Sequence, residues 1–449
     1  MGCRVLLPAR HVHIAGLHLL SFSAGNFCFF DHRYFRFASF MHLRELTVNV
    51  LLGDSESPVI LPAALSSSSL MTKVELYNCF PQHWDAPMFG PRLKRLSMSY
   101  VGDFDVPHLM PTTLEFSRIL TSTPALQSLV LDNIHLQSSA VPYPAMELSP
   151  ELSSIDIFSW RDHTQHRACL AFLENLVFQR RGIQMEISLG NPDGASGDDS
   201  ADDANSAKDI LSLIRSALQN IYRQQADPPK HIVLGHKAFL THDSETSRSK
   251  RRAWPISVMQ YMFTDIPGVT SILNFDFDIS NISDTTSLYE GSVPIPLRDL
   301  RSVSLNCSGG WAYLESEIWW RAMKEAVDVR RIAVYFSDCA KLLPLAETEV
   351  NGGASVFAAF PHLKIIHVHL EEVFIADDSA QLDEAGAVCT ELLTALQFIA
   401  RVRREHGEKS RLESLVVDSV LSGWEIWKTI AEDVPVSFCD FHSHHRDAA

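Results

Sequence analysis

The chain has 449 residues, 46% of them hydrophobic and 20% charged, with 54 acidic against 38 basic side chains and a net charge of −16. The apolar fraction suffices for a large core, and the acidic balance disfavours nucleic-acid binding by the molecule as a whole, because phosphate contacts need clustered Lys and Arg. No apolar run approaches the roughly 18 residues of a membrane span, so neither nucleic acid nor a membrane is expected as a partner. The eight cysteines stand far apart with no C-x-x-C pair. A zinc knuckle or redox motif is therefore unsupported, and the cysteines read as reduced core residues of a cytoplasmic or nuclear protein.

Residues 1–37 form a ragged N-terminal segment. It has no acidic residue before Asp31 and carries Arg4 and Arg10, a faint likeness to a transit peptide. Gly2-Cys3 invites an acylation reading, but Leu6 stands where myristoylation wants Ser or Thr. The better expectation is the beginning of a first repeat, or of a chain whose natural start lies upstream.

Residues 38–190 carry a first block of strands, expected at 43–50, 72–78, 93–99, 126–132 and 152–158, with openings roughly 22 to 33 residues apart. A short helix over Leu114–Leu120 precedes the fourth strand, helical spacing runs from Gln165 to Arg180, and Ile183–Leu189 alternates like a strand. The stretch 191–208, which includes Pro192-Asp-Gly-Ala-Ser-Gly-Asp-Asp, is acidic and aperiodic and is expected to be a disordered insertion; its Asp spacing fits no EF-hand loop.

Residues 209–421 resume the pattern. Asp209–Tyr222 is an amphipathic helix with Ile210, Leu213, Ile214, Leu218 and Ile221 on one face. Strands follow at His231–Leu234, Ile272–Phe277, 300–306, 331–336, 363–369 and 412–418, with helices over Glu315–Val327 and Gln381–His406. The last helix ends in Arg401, Arg403 and Arg404, as a helix C-terminus favours. The basic run Arg248–Arg252 reads as a solvated loop, with nuclear localisation the sharper alternative. Residues 422–449 are expected to be a C-terminal cap and a tail ending in His442-Ser-His-His-Arg.

One phrase recurs through both blocks. Leu126-Gln-Ser-Leu129-Val-Leu131-Asp-Asn-Ile134 is its clearest copy and Met71-Thr-Lys-Val74-Glu-Leu76-Tyr-Asn-Cys79 another. Both fit L-x-x-L-x-L-x-x-N/C, the leucine-rich-repeat template in which a strand buries the three apolar positions and a turn follows. The expected fold is α/β, an irregular leucine-rich-repeat solenoid with parallel strands on the concave face and helices or loops on the convex face. Only Cys79 fits the Asn/Cys place well, so the turns are expected to be poorly matched.

Residues between the apolar positions should point to the concave face. Their types include the aromatics and arginines enriched at protein–protein hot spots. Tyr77, Arg95, Phe158, Arg331, Tyr335, His367 and His369 are accordingly the candidate partner-binding residues. No G-x-S-x-G elbow, P-loop, H-E-x-x-H or dinucleotide fingerprint occurs. No catalytic or metal residues and no cofactor are assigned, although His367 and His369 with Glu371 would share a strand face suited in principle to a metal.

The openings Pro124-Ala-Leu126-Gln-Ser-Leu129 and Pro361-His-Leu363-Lys-Ile-Ile366, with Ser/Pro-rich loops between irregular units, resemble the leucine-rich-repeat portion of fungal F-box proteins over roughly residues 38 to 420. That resemblance implies a non-catalytic scaffold that recruits substrates to a cullin-type ubiquitin ligase. The N-terminus has no L-P-x-E-I/L opening, so an adaptor is an expected partner only if an F-box lies upstream. The alternatives are a divergent enzyme using His367 and His369, and a truncated structural protein without a partner.

Overall fold

The apolar positions of the recurring phrase are the ones that leave solvent. Leu43, Leu46, Val48, Met71, Val74, Leu76, Leu93, Leu96, Met98, Leu126, Leu129, Leu131, Leu152, Ile155 and Ile157 are each at most 2% exposed. A computed structural model describes residues 23–24, 42–50, 58–101, 106–137, 144–159, 163–180, 183–190, 201–224, 228–234, 238–242, 269–276, 295–305, 313–351, 354–370 and 380–439. The chain is α/β with largely parallel strand pairing, and it divides into two units, Met1–Met185 and Glu186–Ala449.

In the first unit, strands β1 (Ser23–Ala24), β2 (Glu45–Val50), β4 (Lys73–Tyr77), β6 (Arg95–Ser99), β7 (Ser128–Asp132) and β9 (Ser154–Ser159) lie in that order. Each pair is parallel. Register follows the template, so that Leu46, Val74, Leu96, Leu129 and Ile155 stand opposite one another in one apolar row. A second buried row is Val48, Leu76, Met98, Leu131 and Ile157. A one-residue slip would turn both rows outward, so burial itself fixes the register.

Parallel neighbours require crossovers rather than hairpins. Four crossovers contribute to two short parallel pairs: β3 (Val59–Ile60), after β2, with β5 (Cys79–Phe80), after β4, and β8 (Met146–Glu147), after β7, with β10 (Leu176–Val177), between β9 and β11 (Gln184–Gly190). Helix α1 (Thr113–Ser122) fills another. The hydroxyl of Thr112 accepts from the Glu115 amide at 3.2 Å while the Glu115 carboxylate accepts from the Thr112 amide at 2.9 Å, a capping box that sets the helix start. Phe116, Ile119 and Leu120 are its buried face. Phe116 meets Phe172 of α2 (His163–Glu174) edge to face at 5.6 Å.

The turn after the strand is closed differently from the expectation. Asn78 and Asn133, one place ahead of the template's Asn/Cys position, hold left-handed backbone with φ of 53° each. Asn78 is buried and ties three strands together. Its side-chain amide donates to the Val50 carbonyl at 2.9 Å, its side-chain oxygen accepts from the Val101 amide at 2.8 Å, and its own amide donates to the Ser99 carbonyl at 2.8 Å. Asn tolerates this conformation better than any non-Gly residue but Asp or His. Asn78→Ala should therefore lose about 2–3 kcal/mol by urea denaturation, through two lost hydrogen bonds and a strained alanine. Asn78→Gly should lose about 1 kcal/mol less than Ala, since only the strain is relieved.

In the second unit the order is β14 (Val269–Asp276), β13 (Ala238–His242), β12 (His231–Leu234), β15 (Ser302–Leu305), β16 (Arg331–Tyr335), β19 (Ile365–His369), β20 (Ser414–Asp418) and β21 (Val436–Cys439). Within this sheet every pair from β12 through β15, β16, β19 and β20 to β21 is parallel, and apart from it β17 (Thr348–Asn351) and β18 (Ala354–Phe357) pair antiparallel. Ile232, Val303, Ile332, Ile366 and Leu415 form the buried row. The pairs β12–β13 and β13–β14 are antiparallel, against the all-parallel expectation. Residues 235–237 alone separate β12 from β13, and a parallel crossover needs a dozen residues or more, so a hairpin is the only connection available.

Two further boundaries are corrected. Helix α3 (Ala201–Gln224) begins inside the 191–208 stretch, so 201–208 is helical rather than disordered. The segment 422–449 is more than a cap. It holds α6 (Ile426–Ile430) and supplies β21, paired to β20 through Leu415–Val436 and Val417–Phe438. The tail at His442 and the remainder of the acidic stretch, 191–200, lie outside the described residues.

The core of the second unit is built on aromatics and one arginine. Trp319, on α4 (Glu317–Met323), is fully buried against Tyr313, Trp320 and Phe360. Helix α5 (Ala380–Glu405) packs on a long 3-10 segment, Phe336–Ala346, and brings in Arg403, which is 0% exposed. Its guanidinium donates to the carbonyls of Leu345 at 3.1 Å, Ala359 at 3.2 Å and Phe360 at 3.1 Å and lies 4.2 Å from the Phe357 ring centre. Burial lowers its pKa to about 9, so it remains charged at neutral pH.

Candidate functional site

The residues alternating with the apolar rows of the first unit share the opposite, outward side of the strands, and register sorts them into rows. Glu45, Lys73, Arg95, Ser128 and Ser154 make the first row, Thr47, Glu75, Ser97, Val130 and Asp156 the second, and Asn49, Tyr77, Ser99, Asp132 and Phe158 the third. Three sequence-predicted residues meet here. Tyr77 and Phe158 occupy the third row, three strand steps apart, or roughly 14 Å at the usual spacing. Arg95 stands in the first row on the strand next to that of Tyr77. Arg95 is exposed, and Tyr77 and Phe158 are half-buried.

Between them the polar groups are organised. The Glu75 carboxylate accepts from the Thr47 hydroxyl at 2.9 Å and pairs with Lys73 at 2.8 Å. Burial acts to raise its pKa, but hydrogen bonds from Lys73 and Thr47 and the charges of Lys73 and Arg95 outweigh that and hold it below the ordinary value. The Ser99 hydroxyl donates to Asp132 at 2.6 Å, yet burial dominates there and pushes the Asp132 carboxyl up. The face thus offers a cation, two aromatic edges, hydroxyls and a carboxylate on a rigid backbone, a set suited to non-covalent recognition.

The second unit treats its predicted residues differently. Arg331 begins β16 and is half-buried, as is His367. Burial, with the Arg331 charge beside it, pushes the His367 pKa down to about 3, so the imidazole is neutral at physiological pH. Tyr335 and His369 are paired by register, their rings 5.9 Å apart, and are only 2% and 4% exposed. They are not presented to a partner, which corrects their assignment as binding residues. Asp418, at the end of β20, is also buried, its carboxylate accepting from the Val420 amide at 3.1 Å to start a 3-10 turn. Strand alternation dictates which way these side chains point but carries no information about what lies over them.

The His367 and His369 rings stack with centres 6.3 Å apart, and Glu371 lies outside the described residues, as does the basic run 248–252. Among the described residues, no three His, Cys, Asp or Glu side chains group as metal ligands do. Cys79, Cys169, Cys339 and Cys439 form no disulfide, the first three are buried, and burial raises Cys79 and Cys169 to about 12, far from reactive thiolates. Among the described residues, no helix is long and apolar enough to cross a membrane. No family model matches the sequence, and no curated protein matches it.

Proposed function

We propose that the chain is a leucine-rich-repeat solenoid acting as a non-catalytic interaction scaffold, with a protein partner seated on the outward strand face of residues 45–158. The observation that carries this reading is the placement of Tyr77, Arg95 and Phe158 together on in-register parallel strands. Large side chains held by a rigid scaffold lose little ordering entropy on binding and offer much contact area. Buried cysteines outside any disulfide support a reducing compartment, cytoplasm or nucleus. Within this reading, the resemblance to F-box repeat proteins makes substrate recruitment to a cullin ubiquitin ligase the activity, and it requires an upstream in-frame F-box for adaptor contact.

The test compares proteins captured from native lysate by the wild type, by Tyr77→Ser/Arg95→Ser/Phe158→Ser, and by Leu114→Ser, a control at an exposed position of α1. The face variant should keep its circular dichroism and lose partners at least about tenfold, equivalent to 1.4 kcal/mol, while the control keeps them. A folded face variant that retains every partner contradicts the proposal.

A further inference from the structure

Immediately before the parallel strands β12, β15, β16, β19 and β20 of the second unit, one residue continues the ladder. The Arg301 amide donates to the Lys230 carbonyl, Arg330 to Arg301, Lys364 to Arg330 and Glu413 to Lys364, at 2.7 to 2.8 Å. This row therefore reads Lys230, Arg301, Arg330, Lys364, Glu413, with four cations on successive strands. The fold does not demand that charge. The same ladder position in the first unit reads Arg44, Thr72, Lys94, Gln127, Ser153.

A cavity of about 420 Å³ opens over this edge. Arg301, Arg330, Arg331, His362 and Lys364 line it, with Glu413 its one acid. Glu413 is already committed, since the Lys364 ammonium lies 3.5 Å from its carboxylate and is further held by the carbonyls of Glu408 and Arg411 at 3.2 Å. Arg301 and Arg330 are exposed, and none of the ion pairs among the described residues involves either. Elsewhere this acid-rich chain gives cations such as Lys73, Lys341, Arg404 and Lys428 a carboxylate. Like charges directly opposite on neighbouring strands are destabilising, so two adjacent arginines at the rim of a cavity are a cost that an incoming anion would remove.

We propose that this groove binds a phosphomonoester carried by a partner polypeptide, with Arg301 and Arg330 as its two guanidinium forks and Arg331 and His362 on its flanks. Planar forks match phosphate oxygens in pairs, and a phosphate side chain brings close to two negative charges at neutral pH. A carboxylate brings one and leaves an arginine uncompensated. The cavity lies in the size range that encloses one compact group with its stem. A nucleic-acid strand fits less well, because the cationic row ends at Glu413 and the net charge of −16 repels a long polyanion. The proposal depends on the groove alone. It stands or falls separately from the 45–158 strand face, whose Tyr77, Arg95 and Phe158 are untouched by changes here.

The experiment uses the full chain and a fluorescent peptide pool with one phosphoserine between random flanks, read by anisotropy at low salt. Its unphosphorylated twin, a short single-stranded oligonucleotide and inorganic phosphate as competitor complete the probes. The wild type should prefer the phosphorylated pool at least about tenfold, and the preference should weaken as salt rises. Arg301→Glu/Arg330→Glu should abolish it. Arg301→Lys/Arg330→Lys, which keeps the charge and removes the forks, should reduce it several-fold, and this variant decides the matter should the charge reversal unfold. Equal binding of the two pools, or a preference that survives both double variants, overturns the proposal. So does an oligonucleotide that binds more tightly than the peptides through the same arginines, or a groove that takes inorganic phosphate but no peptide.

Discussion

Replacing Arg403 with Met should lower the stability of the second unit by about 3–5 kcal/mol. The side chain is wholly buried, and the donors it sends to Leu345, Ala359 and Phe360 satisfy main-chain carbonyls where the 3-10 segment and the turn before β19 meet helix α5. Methionine fills much of the volume but leaves those acceptors without a donor, and each buried orphan costs about 1–3 kcal/mol. Contact with the Phe357 ring is lost as a cation–π interaction. Phe360 adds to the damage, because it holds left-handed backbone with φ of 48°, a conformation that its carbonyl's bonds to the guanidinium help to fix. Arg401→Met, two residues away and exposed, should cost under about 0.5 kcal/mol. The check is the urea midpoint of each variant; similar shifts for the two would deny Arg403 its role as the pin of that junction.

Leu129→Ala is the matching expectation for the first unit, a loss of about 2–5 kcal/mol from removed transfer energy and the cavity left behind. Leu129 is 0% exposed and stands in the middle of its apolar row, between Leu96 and Ile155. Strand backbones on both sides limit how far the site can collapse. Gln127, two residues earlier, contributes its backbone to the ladder, donating to Lys94 and accepting from Ser153, while its side chain is exposed. Gln127→Ala should change stability by under about 0.5 kcal/mol. Equal midpoint shifts would place the wrong side of the strand in the core.

Both contrasts show where the sequence is legible. The spacing of Leu126, Leu129 and Leu131 encodes an inward side, and each repetition of it reappears as a buried row in register, because a strand that buries one face has a single workable alignment. What the spacing leaves out is context. Asn78 sits one place ahead of the template's polar position, and the signal for it was the repeated Tyr-Asn and Asp-Asn after the third leucine, which the template alone ignores. The antiparallel pairing of β12 and β13 follows from the three residues between them, visible only once both strands are placed. Arg403 reads in sequence as one of three cations at a helix end, and nothing local separates it from Arg401 and Arg404. Of the candidate binding residues, Tyr77, Arg95 and Phe158 come together on one face. Tyr335 and His369 are instead buried against each other, because periodicity specifies direction and not cover. The groove at Arg301 and Arg330 was equally invisible, since its residues are far apart in sequence and meet only through the ladder.

Site-specific photocrosslinking tests most directly whether the outward strand face of residues 45–158 is a contact surface. A photoreactive phenylalanine analogue placed at Tyr77, and separately at Phe158, is irradiated in the full chain inside cells, with the same analogue at Leu114 as reference. A partner seated on this face should give the same protein adduct from Tyr77 and Phe158 and none from Leu114. Absence of adducts at both strand positions, or an adduct formed equally from Leu114, would contradict it.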